Sequence, residues 1–188
     1  MIYLASLSSR RGELLNQIKV EYQQIAITID ETPYSKETPQ DYVIRLALEK
    51  ARAGRMAVPT TYPVLGADTV VVCEGQLFGK PIDADDAKRM LRQLSGHCHQ
   101  VMTAVALVTK IEERVRLNIS NVHFRQLSEV DIQAYVSTGE PLDKAGGYAI
   151  QGLASVFIKY LEGSYSGVMG LPLFETATLL AEVDIKIF

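Results

Sequence analysis

The sequence predicts an α/β fold with a mixed sheet flanked by helices, and three observations carry that prediction. Val64 to Cys73 is a long apolar run rich in β-branched residues, as expected of a buried central strand. Helix-capping patterns recur between strand-like runs, at Thr38-Pro39 with Asp41, at Asp83 with Asp86 and at Ser128 with Asp131. Two long strand-like runs, Gln100 to Thr109 and Val115 to Arg125, follow one another across a charged turn at Ile111 to Glu113.

Taken in order, Met1 to Ser6 reads as a short buried strand. Ser8 or Ser9 then caps a helix whose Leu14, Leu15 and Ile18 fall at helical spacing. Gln23 to Ile29 alternates as a second strand, and Pro39 to about Ala57 forms a helix that carries Lys50. Glu74-Gly75 turns the central strand into a hairpin with Gln76 to Phe78. A helix opens at Asp83 and ends near Gly96, and another opens at Ser128 and is closed by Gly139. Beyond a Gly-rich loop at 144–147, Tyr148 to Gln151 and Ala154 to Tyr160 look like strands. A second Gly-rich loop at 163–170, a helix from Pro172 and a terminal strand from Ile185 to Phe188 complete the chain. No repeat or low-complexity linker divides it, so residues 1–188 are expected to form a single domain with two lobes around a central cleft.

The chain has 188 residues, 47% of them hydrophobic, with 19 Lys and Arg against 22 Asp and Glu. That is enough apolar material for a core and too little net charge, at -3, for a disordered chain. No apolar run approaches the roughly 18 residues of a membrane span, so no membrane association is expected. A net negative chain gives no broad attraction to nucleic acid, although a local basic pocket for a small anion stays open. Two cysteines, Cys73 and Cys98, are too few for a disulfide framework, which points to a reduced, cytoplasmic protein. Cys73, inside the apolar run, reads as a small buried hydrophobe.

Several common templates fail. Gly79-Lys80-Pro81 lacks the upstream Gly and following Ser or Thr of a P-loop. Gly163-Ser164-Tyr165-Ser166-Gly167 places Tyr where a nucleophile elbow needs Ser, and no G-x-G-x-x-G follows a strand. His97, Cys98 and His99 would reach one zinc ion only through a bulge, since alternate strand residues face opposite sides. His99 and His123 are instead expected to be solvated or hydrogen-bonded strand residues.

Asp68, in the middle of the central strand, is harder to dismiss. An ionised carboxylate there costs several kcal/mol unless it is paired, hydrogen-bonded or bound to metal. It reads either as a structural tie or as a general base or metal ligand facing a pocket. Glu31, in the polar break Asp30-Glu31-Thr32-Pro33, is a natural second carboxylate for a hard cation. Arg10, Arg11, Lys50, Lys80 and Lys144 sit at element edges or in Gly-flanked loops. Arg10 and Arg11, with Ser6, Ser8 and Ser9 at a helix N-terminus, outline an anion site. Carboxylates for a metal beside cations for an anion suggest a metal-chelated phosphate substrate.

These residues form an ordered set of short motifs: Leu4-Ala5-Ser6-x-Ser8-x-Arg10-Arg11-x-Glu13-Leu14-Leu15, Glu31, Lys50-Ala51, Gly66-Ala67-Asp68-Thr69-Val70, Gly79-Lys80-Pro81 and Leu94-Ser95-Gly96. Asp143-Lys144-Ala145-Gly146, Ile150-Gln151-Gly152 and Gly170-Leu171-Pro172 follow. In that order, from Tyr3 to beyond Pro172, they resemble the Maf family of nucleoside triphosphate pyrophosphatases. The resemblance implies a fold related to the inosine triphosphate pyrophosphatases. It also implies hydrolysis of a nucleoside triphosphate to the monophosphate and pyrophosphate, with a divalent metal such as Mg2+ or Mn2+, in the cytoplasm.

The family's proton acceptor carries over to Asp68. The marks of the branch acting on dTTP and UTP carry over to Arg11, Thr69 and Gln151, and modified pyrimidine nucleotides are further candidate substrates. Ser9 departs from the Pro of many members, which removes a φ restriction but no catalytic group. On this basis Asp68 is assigned to water activation and metal contact and Glu31 to metal contact. Ser6, Ser8, Arg10, Arg11, Lys50 and Lys80 are assigned to the phosphates, the two lysines interchangeably, and Thr69 and Gln151 to the pyrimidine edge. The resemblance also hints at a nucleotide-sensing role in cell division and septum formation with weak catalysis. The apolar edges of the two long strands offer a surface on which a homodimer could form.

Overall fold

A computed structural model of the protein describes residues 1–58 and 61–187. In chain order its strands and helices are β1 (Ile2–Leu4), α1 (Ser9–Gln17), β2 (Tyr22–Gln24), α2 (Pro39–Ala57), β3 (Val64–Cys73), β4 (Gln76–Phe78), α3 (Ala84–Leu94), β5 (Cys98–Val108), β6 (Glu113–Phe124), α4 (Glu129–Ser137), β7 (Ile158–Glu162), α5 (Tyr165–Met169) and α6 (Leu173–Ala181). Tight 3-10 turns cover Glu140–Asp143, Ala145–Gly147 and Leu153–Phe157. The seven strands form one sheet in the order β2-β1-β3-β5-β6-β7, with β4 paired to β3. β1 runs parallel to β2 and β3, whereas the β3–β4 and β6–β7 pairs are antiparallel, so the sheet is mixed as the sequence predicts.

The chain divides into two compact units. The first holds Met1–Asp68, Thr103–Asn118 and Gly170–Phe188, and the second Thr69–Met102 and Ile119–Met169. In the first, Ala5, Ile25 and Val64 pack together with Tyr3, Ile27 and Val58, and Leu4, Leu15, Leu46, Leu65, Leu107 and Leu179 are fully buried. The core of the second joins Val71, Phe78, Leu91, Leu94, Val122 and Ile132 to a group of aromatic rings at Phe124, Tyr135, Tyr148 and Phe157.

Local chemistry accounts for several element ends. Thr38 accepts the Asp41 N–H and Asp83 the Asp86 N–H, and Ser128 with Asp131 completes a reciprocal capping box. Each satisfies backbone donors that a helix start leaves unpaired. Glu74 and Gly75, at φ 50° and 77°, make the two-residue turn between β3 and β4, a conformation whose twist matches the strands it joins.

Five sequence expectations need correction. The strand expected over 23–29 is only Tyr22–Gln24, because β1 ends at Leu4 and the pairing stops at Leu4 with Gln24. Tyr148 to Gln151 is not a strand. Its apolar residues are buried in a loop that leaves Gly146 and Gly147 at positive φ, and the 3-10 turn Leu153–Phe157 delays β7 to Ile158. The loop at 163–170 contains the short helix α5. Residues 185–187 belong to no strand, and Phe188 of that expected strand lies outside the described residues.

Candidate active site

Most of the predicted site residues fall in the first unit. β1 ends at Leu4 and delivers Ser6 to the start of α1. Ser6 Oγ accepts the Ser8 N–H at 3.2 Å and Arg11 Nη1 at 3.1 Å. Arg11 Nε donates to the Gly170 carbonyl at 2.8 Å, so its guanidinium is braced on two sides. Burial lowers the Arg11 pKa from its ordinary value; the charge of Asp68 opposes that fall and Arg10 adds to it. Ser8 is the residue before α1, where its side chain makes no capping bond, and Arg10 is half-buried in the first helical turn.

The catalytic candidate lies where β3 meets α2. A Cβ on Gly66 would stand 2.4 Å from the Ala47 carbonyl oxygen and 2.6 Å from the Ala51 nitrogen, so strand and helix backbones touch there. That approach lets Lys50, one residue before Ala51, reach the strand. Lys50 Nζ donates to Asp68 Oδ1 at 2.6 Å and pairs with Glu31 Oε1 at 2.7 Å. Asp68 is 7% exposed. Burial raises its pKa, Lys50 and then Arg11 pull it down, and Glu31 adds a smaller raising effect. The buried carboxylate that the sequence required to be compensated is therefore compensated by Lys50. Lys50, expected at the phosphates, has the two carboxylates as its partners in the structure.

The Glu31 loop is fastened by residues that the motifs do not single out. Arg45 bonds Glu37 through Nε at 2.6 Å and Nη2 at 2.8 Å, donates to the Thr32 carbonyl at 3.2 Å, and lies 4.0 Å from the Tyr34 ring centre. Tyr42 donates its hydroxyl to the Glu31 carbonyl at 2.8 Å. Burial raises the Tyr42 phenol pKa to about 12, with the charges of Asp68 and Glu31 adding to it. The sequence signal for this clamp is slight, since only the Arg45–Glu49 pair has a recognisable helical spacing.

Thr69, Lys80 and Gln151 belong to the second unit. Thr69 follows Asp68 in β3 and is half-buried, and Lys80 is exposed just after β4. The Gly79 carbonyl beside Lys80 accepts the Gly146 N–H at 2.9 Å. Gln151 is exposed, in the turn before Leu153. Lys144 is spent structurally: Nζ donates to the Glu140 carbonyl at 3.1 Å and pairs with Asp143.

Two further expectations can be placed. His99 is hydrogen-bonded, its Nε2 2.8 Å from the Tyr148 hydroxyl, and Cys73 is buried. Cys98 is exposed and lies 3.4 Å from His123 Nε2.

Residues 1–183 match the family model described as Maf-like protein. The chain belongs to the Maf-like protein family. A dTTP/UTP pyrophosphatase of Alkalilimnicola ehrlichii is 53% identical to this Maf-like protein over 189 residues, covering 98% of this chain and 93% of the relative. A dTTP/UTP pyrophosphatase of Escherichia coli O157:H7 is 51% identical over 183 residues, covering 97% and 93%. Among solved structures, the Staphylococcus aureus Ham1 protein superposes with a TM-score of 0.53 at 13% identity, covering 97% of both chains. At that identity the likeness speaks to fold alone.

Proposed function

We propose that this Maf-like protein hydrolyses dTTP and UTP to the nucleoside monophosphate and pyrophosphate. The observation that carries the proposal is the cluster in which Lys50 joins buried Asp68 to Glu31, in a chain about half identical, over nearly its full length, to proteins named for that activity. Asp68 takes a proton from water, the water oxygen bonds to the α-phosphorus, and the bond to the bridging oxygen breaks as pyrophosphate leaves. Burial favours this role, since it lifts the carboxylate towards the basicity a general base needs near neutral pH.

Ser6, Ser8, Arg10, Arg11 and Lys80 are assigned to the triphosphate, where positioning and charge neutralisation supply most of the catalysis. Thr69 and Gln151 are assigned to the pyrimidine edge, because an amide offers a donor and an acceptor to a uracil-type base. Lys50 holds the two carboxylates and supplies positive charge beside them.

The residues fit a divalent cation in one particular way. Glu31 and Asp68 already close on a single cationic group, the Lys50 ammonium, and offer the hard oxygen donors that Mg2+ and Mn2+ prefer. Among the described residues no three His, Cys, Asp or Glu side chains could hold a metal by themselves. That suits an ion held by one or two carboxylates together with substrate phosphates. When bound, such an ion supplies charge neutralisation at the phosphates. No helix is long and apolar enough to cross a membrane among the described residues. We place the protein in the reducing cytoplasm, a setting that its two free cysteines suit.

Asp68→Asn tests the mechanism. Turnover of dTTP and UTP, scored as pyrophosphate release, should fall by roughly two to four orders of magnitude, the usual share of a general base. Nucleotide binding and the thermal midpoint should stay near those of the unaltered protein. Near-normal turnover would remove Asp68 from the mechanism. Tight nucleotide binding by the unaltered protein without multiple-turnover release would point instead to a nucleotide sensor.

A further inference from the structure

One carboxylate fastens the turn that carries Gln151. Glu140 follows Gly139, whose φ of 77° turns the chain after α4. Glu140 Oε1 accepts the Tyr135 hydroxyl at 2.8 Å and the Ala154 N–H at 3.4 Å, while Oε2 accepts the Leu153 N–H at 3.0 Å. Gly152 lies against the same group, and a Cβ there would stand 2.4 Å from Oε1 and 2.5 Å from Oε2. Its φ of -104° is open to any residue, so a Cβ at 152 would strain no backbone and would instead displace the Glu140 carboxylate from its hydrogen bonds.

The other side of the turn is held as well. Tyr148 is buried and its hydroxyl meets His99 Nε2 at 2.8 Å, while Lys144 Nζ donates to the Glu140 carbonyl oxygen. Gln151 is exposed between these two anchors.

An amide distinguishes a uracil-type from a cytosine-type edge only if its own donor and acceptor are fixed to within a fraction of an ångström. An exposed turn left to itself moves on the nanosecond to microsecond scale. The Glu140 carboxylate acts against that freedom by accepting two backbone N–H groups within three residues of Gln151, at a position that ordinary base-reading chemistry would not single out.

We propose that Glu140 is a positioning residue for base selection, holding the Ile150–Gly152 turn in the conformation that presents Gln151 to the pyrimidine. The inference rests on the assignment of Gln151 to the base edge. Glu140 itself touches no reacting atom.

The experiment compares kcat and KM for dTTP and dCTP in the unaltered protein and in Gln151→Ala, Glu140→Gln, Glu140→Ala, Gly152→Ala and the Gln151→Ala/Gly152→Ala double variant, with the thermal midpoint of each. Gln151→Ala should cut the preference for dTTP over dCTP by about tenfold or more, the usual effect of losing a hydrogen bond that reads a substrate. Gly152→Ala and Glu140→Ala should lower that preference by a similar ~10-fold through KM for dTTP, with kcat within about threefold, the signature of lost binding rather than lost chemistry. Glu140→Gln keeps an acceptor oxygen and should recover part of the preference. In the Gln151→Ala background, Gly152→Ala should leave the preference unchanged, because the turn then has no amide to place.

Should Glu140→Ala fail to fold, Glu140→Gln and Gly152→Ala carry the comparison. If Gln151→Ala loses the preference while Gly152→Ala and Glu140→Gln keep it, or lower kcat/KM for both nucleotides alike, Glu140 is only structural and the proposal is overturned. If Gln151→Ala keeps the preference, the assignment of Gln151 to the base is what fails, and the proposal falls with it.

Discussion

Lys50 is shared unequally between its two carboxylates. The Asp68 side chain is 10% exposed and that of Glu31 56%, so the Lys50–Asp68 contact works in a far less polar setting than the Lys50–Glu31 contact. An exposed pair contributes about 0–1 kcal/mol, whereas stripping a buried charge of its partner costs about 3–5 kcal/mol or forces it to protonate. The second outcome gives a signed test. Lys50 is the largest influence lowering the Asp68 pKa, so Lys50→Met should raise that pKa further. The acid limb of kcat/KM, which reports the base in the free enzyme, should then move to higher pH. Glu31→Gln removes a raising charge and should move the limb the other way. Limbs that stay put in both variants would show that Asp68 is not the group being titrated.

The close approach of β3 to α2 is what brings Lys50 to Asp68. Both atoms that a Cβ on Gly66 would meet first belong to the helix backbone, at Ala47 and Ala51, so no side chain can rotate aside to make room. Gly66→Ala should therefore push α2 away from the strand, costing about 1–3 kcal/mol as other overpacked sites do. It should also carry the Lys50 ammonium away from Asp68. We expect a lower urea midpoint together with lower kcat/KM for dTTP; a variant unchanged in both would show that the contact tolerates a methyl group. The loop carrying Glu31 depends on the same helix through Arg45 and Tyr42, so α2 supplies one cation of the site and the support of one carboxylate.

For the whole molecule, the pH dependence of stability has a contributor outside the site. His99 is 1% exposed, its Nδ1 lacks a hydrogen-bond partner among the described residues, and burial, with a smaller effect from His123, pushes its pKa down to about 3. The unfolded chain takes up the His99 proton near the ordinary value of 6.5, the folded chain only near 3. Between those values the unfolded state binds more protons, so this stability is present in full above about pH 6.5 and is lost progressively below it. His99→Phe should flatten the fall of the urea midpoint from pH 7 to pH 4, and an unchanged slope would show that other groups set it. Much of the molecule was legible in its sequence. Capping pairs such as Ser128 with Asp131 and the Glu74-Gly75 turn act over a few residues, so local chemistry determined those element ends. The ordered motifs pointed to the family, and an Asp amid β-branched residues announced that a partner was needed. Tertiary structure alone decided which partner: Lys50 is 18 residues from Asp68 in the chain and reaches it because Gly66 lets two backbones touch. It also decided that Tyr148 to Gln151 is a loop, because burial satisfies the same apolar residues in a loop or a strand, while the positive φ of Gly146 and Gly147 and the Glu140 carboxylate set the path of the chain there.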